Sequence, residues 1–123
     1  MGIERMGLGP RMSQVVVHND TVYICGQVAD DTSTNCVKTQ TEDTVRKIDE
    51  RLAMAGTDKS RLLSAQIWVA NMALFDQMNA AWDAWVDPDN TPARACVEAK
   101  MAAPEYLVEI MIVAAKKKRA QSR

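Results

Sequence analysis

Two stretches of this chain are almost continuously apolar, and they constrain its fold more than any other feature. They read "QVVVH" (residues 14–18) and "YLVEIMIVAA" (residues 106–115). A strand with one buried face alternates apolar and polar residues, whereas a strand covered on both faces loses that alternation. Both runs are far shorter than the roughly 20 residues that a membrane-spanning helix needs. We therefore expect both to be strands of a sheet whose two faces are covered.

The remaining elements follow from changes in hydrophobic period along the chain. The predicted order is strand, strand, helix, strand, helix, strand, strand. The corresponding stretches are "RMSQVVVH" and "TVYICGQVA" around an "HND" turn, "TQTEDTVRKIDERLAMAG", "SRLLSAQIWVA", "MALFDQMNAAWDAWV", "ARACVEAKM" and "EYLVEIMIVAA". Thr39 with Glu42 predicts a capping box for the first helix, and Gly56 predicts its end. Asn71 predicts the N-cap of the second helix.

This order predicts one α+β domain over residues 1–123, with two helices on one face of a single sheet. The tail "KKKRAQSR" (residues 116–123) is expected to be frayed and basic. Two helices cover only one face, so no chain remains for the other face of the apolar strands. We therefore predict a homo-oligomer in which a second copy covers that face.

Composition excludes several classes of function. The net charge of -1 and the pI of about 5.8 give no reason to expect nucleic acid or an anionic membrane as the main partner. Three cysteines without a C-x-x-C pair argue against a disulfide framework and favour a reducing cytoplasm. With one histidine, scattered cysteines and no glycine-rich phosphate loop, the sequence predicts neither a zinc or iron site nor a phosphate-binding loop.

Polar residues within the last two predicted strands remain as candidates for a functional site. Strand alternation places Arg94, Cys96 and Glu98 on one face, and Glu109 stands in the middle of the last apolar run. If these strands pair closely, Arg94 and Glu109 converge. One interpretation is a structural salt bridge from Arg94 to Glu109 or Glu98. The other is a site in which Arg94 binds a substrate carboxylate and Glu109 handles a proton or a water.

The closing segment "PARACVEAKMAAPEYLVEIMIVAA" (residues 92–115) resembles the RidA (YjgF) family. The ordered motifs "GP" (9–10), "CGQV" (25–28) and "MNAAWDAW" (78–85) extend the resemblance over nearly the whole chain. It implies a chorismate-mutase-like fold, a homotrimer with sites in the clefts between subunits, and no cofactor. It also implies hydrolysis of reactive 2-imino or 2-enamino acids to 2-oxo acids and ammonium.

The resemblance also implies roles for individual residues. Arg94 matches the arginine that binds the substrate carboxylate, and Glu109 matches the glutamate that orients or activates water. The matched pocket residues are Cys96, Asn79 on the second helix, and Gly26, whose backbone approaches the ligand.

Two positions depart from the family pattern. Arg11 stands where an aromatic residue often follows "GP", and Cys25 stands where a small hydroxyl residue is common. Arg11 is expected to bring a second cation to the site, which favours more anionic imines or lowers activity on ordinary ones. The alternative function is a small-carboxylate-binding or regulatory trimer without catalysis.

Overall fold

The computed structural model describes residues 2–117 and contains one six-stranded sheet and two helices. The strands are β1 (Ile3–Leu8), β2 (Ser13–His18), β3 (Thr21–Gln27), β4 (Leu62–Val69), β5 (Ala93–Glu98) and β6 (Val108–Ala115). The helices are α1 (Val37–Met54) and α2 (Phe75–Trp85), and short 3-10 turns at Lys59–Arg61 and Met72–Leu74 precede β4 and α2. The predicted α+β class is confirmed.

The strand order across the sheet is β1-β2-β3-β6-β4-β5. All neighbours are antiparallel except β4 and β5, which are parallel and joined through α2. The last strand, β6, therefore lies between β3 and β4 rather than beside β5. The two closing strands, β5 and β6, do not pair with each other, so the condition under which Arg94 and Glu109 would converge is not met. A parallel crossover puts β5 on the outer edge of β4, which leaves the inner edge of β4 for β6.

The sequence prediction missed β1. Its residues "IERMGL" are mostly exposed, and only Met6 packs against the core. Pairing with β2 makes this segment a strand, with Ile3 opposite His18 and Leu8 opposite Ser13. Edge strands held mainly by backbone hydrogen bonds carry a weak local signal.

One face of the sheet forms the core with the two helices, as predicted. Alternate residues of the strands are buried against α1 and α2: Val15, Val17, Val22, Ile24, Ala65, Ile67, Val69, Val108, Ile110, Ile112 and Ala114. On the helices, Ile48 and Leu52 of α1 and Met78 and Trp82 of α2 complete the cluster. This core positions both sides of the site described below.

The second face of the sheet is uncovered within residues 2–117. Tyr23, Val97 and Met111 point to it and are 42%, 46% and 40% exposed. They belong to three different strands, so apolar surface extends across the sheet. We call this surface the open face.

Some of the predicted helix ends agree with the structure and others do not. Gly56 has φ of 74° and follows α1, with Gly56 N–H donating to the Ala53 carbonyl and Thr57 N–H to the Leu52 carbonyl. This is a Schellman end, and it confirms the predicted stop. The predicted capping box is wrong, because α1 begins at Val37, before Thr39, and Cys36 precedes it without a side-chain cap. Asn71 accepts from Ala73 N–H and caps the 3-10 turn that leads into α2.

At the C-terminal end, the Lys116 amide donates to the Asp20 carbonyl and Lys117 pairs with Asp58 at 2.9 Å. The other residues of the tail predicted to fray, 118–123, lie outside the described residues, so one domain over residues 1–123 stays a prediction. Within residues 2–117, neither helix combines the length and the hydropathy that crossing a bilayer requires.

Candidate active site

Glu109 lies on the open face, directly over Gly26. The pairing of β3 with β6 shifts between Ile24 opposite Ile112 and Gln27 opposite Ile110, which leaves Cys25 and Gly26 together in a β-bulge. A Cβ atom at position 26 would overlap the Oε2 atom of Glu109. Only a glycine therefore allows the carboxylate to lie against this strand. The bulge and the glutamate together form what we call the Glu109 half-site.

The thiol of Cys25 borders the same half-site. Gln27 Nε2 lies 3.3 Å from Cys25 Sγ and also donates to Gln14 Oε1 at 3.1 Å. Burial raises the pKa of the Cys25 thiol; Arg51 acts in the opposite direction, and the Glu109 carboxylate raises it further. With its pKa raised from an ordinary value that is already above neutrality, Cys25 is a protonated thiol at pH 7.

Arg94 lies on the other face of the sheet and is held by α2. In the β4–β5 register, Arg94 is opposite Ala65 and Cys96 is opposite Ile67. Ala65 and Ile67 are buried against the helices, so Arg94 and Cys96 are on the same face. Arg94 Nη1 donates to Asn79 Oδ1 at 2.8 Å. Its guanidinium carbon lies 5.5 Å from the ring centroid of Trp82 and 5.9 Å from that of Phe75. We call this group the Arg94 half-site.

This arrangement orients the guanidinium before any ligand arrives. The amide oxygen occupies one N–H, and the rings of Phe75 and Trp82 restrict the plane of the group. Arg94 is exposed on the edge strand, and among residues 2–117 its side chain donates a hydrogen bond only to Asn79. The remaining N–H groups can bind a carboxylate in a bidentate manner.

The other polar residues of β5 have separate roles. Cys96 is half-buried and packs against the core, and burial raises its pKa while Arg94 lowers it. Glu98 accepts from the Met72 amide at 2.9 Å. Within residues 2–117, Arg94 takes part in no ion pair, so neither structural salt bridge considered from the sequence forms in this chain.

The two half-sites are on opposite faces of the same sheet. Glu109 is opposite Trp68 on the open face, whereas Arg94 is opposite Ala65 on the helix face, with β4 between them. Convergence of Arg94 and Glu109 depended on close pairing of β5 with β6, and these strands do not pair within one chain.

Comparison with known proteins places this geometry in a family. The model of the family described as Endoribonuclease L-PSP matches residues 6–116. A RutC family protein of Haemophilus ducreyi is 45% identical over 92% of this chain and 96% of its own length. The RutC family protein YoaB of Escherichia coli is 42% identical over 94% of this chain and 99% of its own. The crystal structure of NMB1025, a YjgF family member from Neisseria meningitidis, superimposes with a TM-score of 0.93 at 41% identity, covering 97% of this chain and 98% of that one.

The chain belongs to the RidA (YjgF) family. The resemblance inferred from "PARAC", "VEI" and the upstream motifs is thereby confirmed, and so is the chorismate-mutase-like fold. Membership in the RidA family supports an enzymatic role without fixing the reaction.

In this RidA-family chain, Arg11 lies in the turn between β1 and β2, which the Gly9 N–H closes by donating to the Met12 carbonyl at 2.8 Å. Arg11 is exposed and lines a cavity of about 260 Å³ together with Gly7, Gly9, Pro10, Met12 and Gln14. This turn is at the same end of the sheet as the bulge, since Val15 of β2 is opposite Ile24 of β3.

Phe75 and Trp82 contact Arg94, although neither is among the site residues predicted from the sequence. Trp82 is buried, yet one side of its ring lies against Arg94. A signal was available: Phe75, Asn79 and Trp82 are at positions i, i+4 and i+7, which is a single helical stripe. The polar chain of Gln14, Gln27 and Arg51 had no comparable signal, because its members come from three elements.

Proposed function

We propose that this protein is a cofactor-free deaminase that hydrolyses 2-imino and 2-enamino acids to 2-oxo acids and ammonium. The observation that carries the proposal is a pair of groups: an arginine oriented by an amide and two aromatic rings, and a carboxylate that lies against a glycine. An imine carbon is already electrophilic, so positioning and proton transfer are the main requirements of the reaction.

In the proposed reaction, Arg94 binds the carboxylate of the substrate and Glu109 positions a water molecule. The water oxygen forms a bond to C2 of the protonated imine, and Glu109 accepts a proton from that water. Glu109 returns its proton to the nitrogen, which makes it a leaving group. The C2–N bond then breaks as the hydroxyl oxygen forms the carbonyl, and the hydroxyl proton passes to the released ammonia. The products are one 2-oxo acid and one ammonium ion, and a 2-enamino acid enters the same route after tautomerising to the imine.

The same proposal includes a homotrimer with each site between two protomers. Two features support it: the half-sites lie on opposite faces of one chain, and the open face exposes Tyr23, Val97 and Met111. A cyclic assembly lets the Arg94 half-site of one protomer approach the Glu109 half-site of the next. The three free thiols favour a reducing compartment, for which we propose the cytoplasm.

The test generates 2-iminopropanoate and 2-iminobutanoate in situ with an amino-acid oxidase and follows the loss of the imine. We expect the protein to accelerate hydrolysis well above the rate in buffer. A matched control is an imine of the same length that lacks the carboxylate, which Arg94 cannot bind and which should decay at the buffer rate. A protein that accelerates none of the carboxylated imines would contradict the proposal.

The second candidate is a carboxylate-binding or regulatory trimer without turnover, which the exposed Arg11 favours as an additional anion-binding group. Calorimetry that shows tight binding of 2-oxo acids by a protein without imine hydrolysis would select it. The description of the matching family model names an endoribonuclease, so incubation with RNA is the further control. The net charge of -1 gives no electrostatic support to RNA as the substrate.

A further inference from the structure

Arg51 has unusually weak charge compensation for a partly buried arginine. Its side chain is 21% exposed, and its ion pair with Glu50 is long, at 3.6 Å. Glu50 is itself bound by Arg46 at 2.7 Å. The neighbouring cation Lys47 pairs with Asp30 at 2.9 Å. A partly buried cation without a close counter-charge is costly, so an anion beside Arg51 would stabilise the protein.

The side chain of Arg51 is directed toward the turn that carries Arg11. Arg51 Nε donates to Gln14 Oε1 at 3.3 Å, and Gln14 also lines the cavity beside Arg11. Within residues 2–117, Arg11 belongs to none of the ion pairs. Two under-compensated guanidinium groups therefore border Gln14 from two different elements.

Hydrogen bonds connect this cationic region to the Glu109 half-site. Gln14 accepts from Gln27, and Gln27 contacts the thiol of Cys25, the residue before Gly26. Burial raises the pKa of the Cys25 thiol, and beside it Arg51 lowers that pKa and Glu109 raises it, so both charged groups act on the same thiol. Strand geometry places the Cα of Arg11 on the order of 10 Å from that of Gly26, since Arg11 lies in the turn just beyond the β2 residues beside the bulge. A long side chain and a small dicarboxylate together can span this distance.

We propose that Arg11 and Arg51 form a second anion subsite, so that the preferred substrates are dicarboxylic 2-imino acids. This inference rests on the proposed deaminase function. Arg94 of one protomer binds the carboxylate next to the imine carbon. Arg11 and Arg51 of the other protomer bind the distal carboxylate, while Glu109 of that protomer positions the water. The subsite adds two positive charges to a site that otherwise pairs one cation with one carboxylate.

The test compares 2-iminoglutarate and 2-iminosuccinate with 2-iminopropanoate, each generated in situ by an oxidase for the parent amino acid. We expect the wild-type kcat/KM to be roughly tenfold or more higher for the dicarboxylic imines, the effect of a hydrogen bond to a charged group. Arg11→Gln and Arg51→Gln should each reduce that ratio by about tenfold. The measured quantity is the ratio of kcat/KM for dicarboxylic imines to kcat/KM for the monocarboxylic imine. A general loss of activity lowers both values and leaves this ratio unchanged.

Arg61→Gln is the matched control, because Arg61 is an exposed arginine near the opposite end of the sheet, where it donates to the Lys116 carbonyl. It should leave the ratio unchanged. Arg11 lies in an exposed turn, so Arg11→Gln tests the subsite even if Arg51→Gln destabilises α1. A wild type that hydrolyses monocarboxylic imines equally well, or a ratio unaffected by Arg11→Gln, overturns the subsite and leaves the deaminase proposal standing.

Failure of the deaminase proposal is distinguishable from failure of the subsite. If no imine is hydrolysed, calorimetry with oxaloacetate and pyruvate tests the subsite by binding alone. We then expect oxaloacetate to bind roughly tenfold more tightly, and Arg11→Gln to remove the difference. Equal affinity of the two 2-oxo acids overturns the inference.

Discussion

Replacing Arg94 by alanine should lower kcat/KM for 2-imino acids by about 100-fold, because the substrate loses two charge-assisted hydrogen bonds and its orientation. Arg94→Lys should lose nearly as much. Lysine keeps the charge but cannot bond Asn79 and a carboxylate in one plane, nor present a flat guanidinium to the rings of Phe75 and Trp82. The measurement is steady-state hydrolysis of 2-iminopropanoate by the purified, assembled variants.

Asn79→Ala tests separately how much the orientation of Arg94 contributes. Arg94 keeps its charge in that variant but loses the 2.8 Å hydrogen bond that orients it, so we expect a rise in KM and a loss smaller than for Arg94→Ala. Arg61→Gln controls for the loss of one exposed positive charge. If Arg94→Ala retained wild-type kcat/KM with the oligomer intact, Arg94 would have no role in substrate binding.

Gly26→Ala should reduce kcat by roughly 100-fold, the lower end of the contribution of general acid–base catalysis. The new Cβ would occupy the position of Glu109 Oε2, so the carboxylate must rotate away from the bulge. The overlap involves the far end of a flexible side chain, so the melting temperature should change little. Kinetics and thermal unfolding measured on the same preparation separate the two effects.

A double-mutant cycle with Glu109→Gln tests whether Gly26 acts through the glutamate. If it does, Gly26→Ala in the Glu109→Gln background should cause almost no further loss, since residues that act as one unit are not additive. Fully additive losses would show that the alanine damages something other than the position of Glu109. Disassembly of the oligomer by Glu109→Gln alone would instead favour a structural role for this carboxylate.

Local sequence features predicted much of the fold. The alternation of "ARACVE" placed Arg94, Cys96 and Glu98 on one face, and the register of β5 against β4 confirms it. Gly56 marked the end of α1 because the helix ends on a residue with a left-handed backbone, which glycine adopts without a Cβ clash. The uncovered apolar face was likewise predictable. The strands are apolar on both faces, and the two predicted helices can cover only one of them.

The relative placement of the half-sites was not predictable from local features. Strand order depends on contacts between residues far apart in sequence: β6 is the last strand of the chain, yet it lies between β3 and β4, while β5 pairs with the outer edge of β4. The edge strand β1 and the weak charge compensation of Arg51 were not predictable for the same reason. Each depends on neighbours in space rather than on neighbours in sequence.

We propose that each site is built from the Arg94 half-site of one protomer and the Glu109 half-site of another. The most direct test coexpresses Arg94→Ala and Glu109→Gln protomers in equal amounts and measures imine hydrolysis by the mixed oligomers. In a cyclic assembly, about a quarter of the interfaces pair an intact Arg94 with an intact Glu109, so activity should return to about a quarter of wild type. Mixed oligomers no more active than either variant alone would contradict a site shared between protomers.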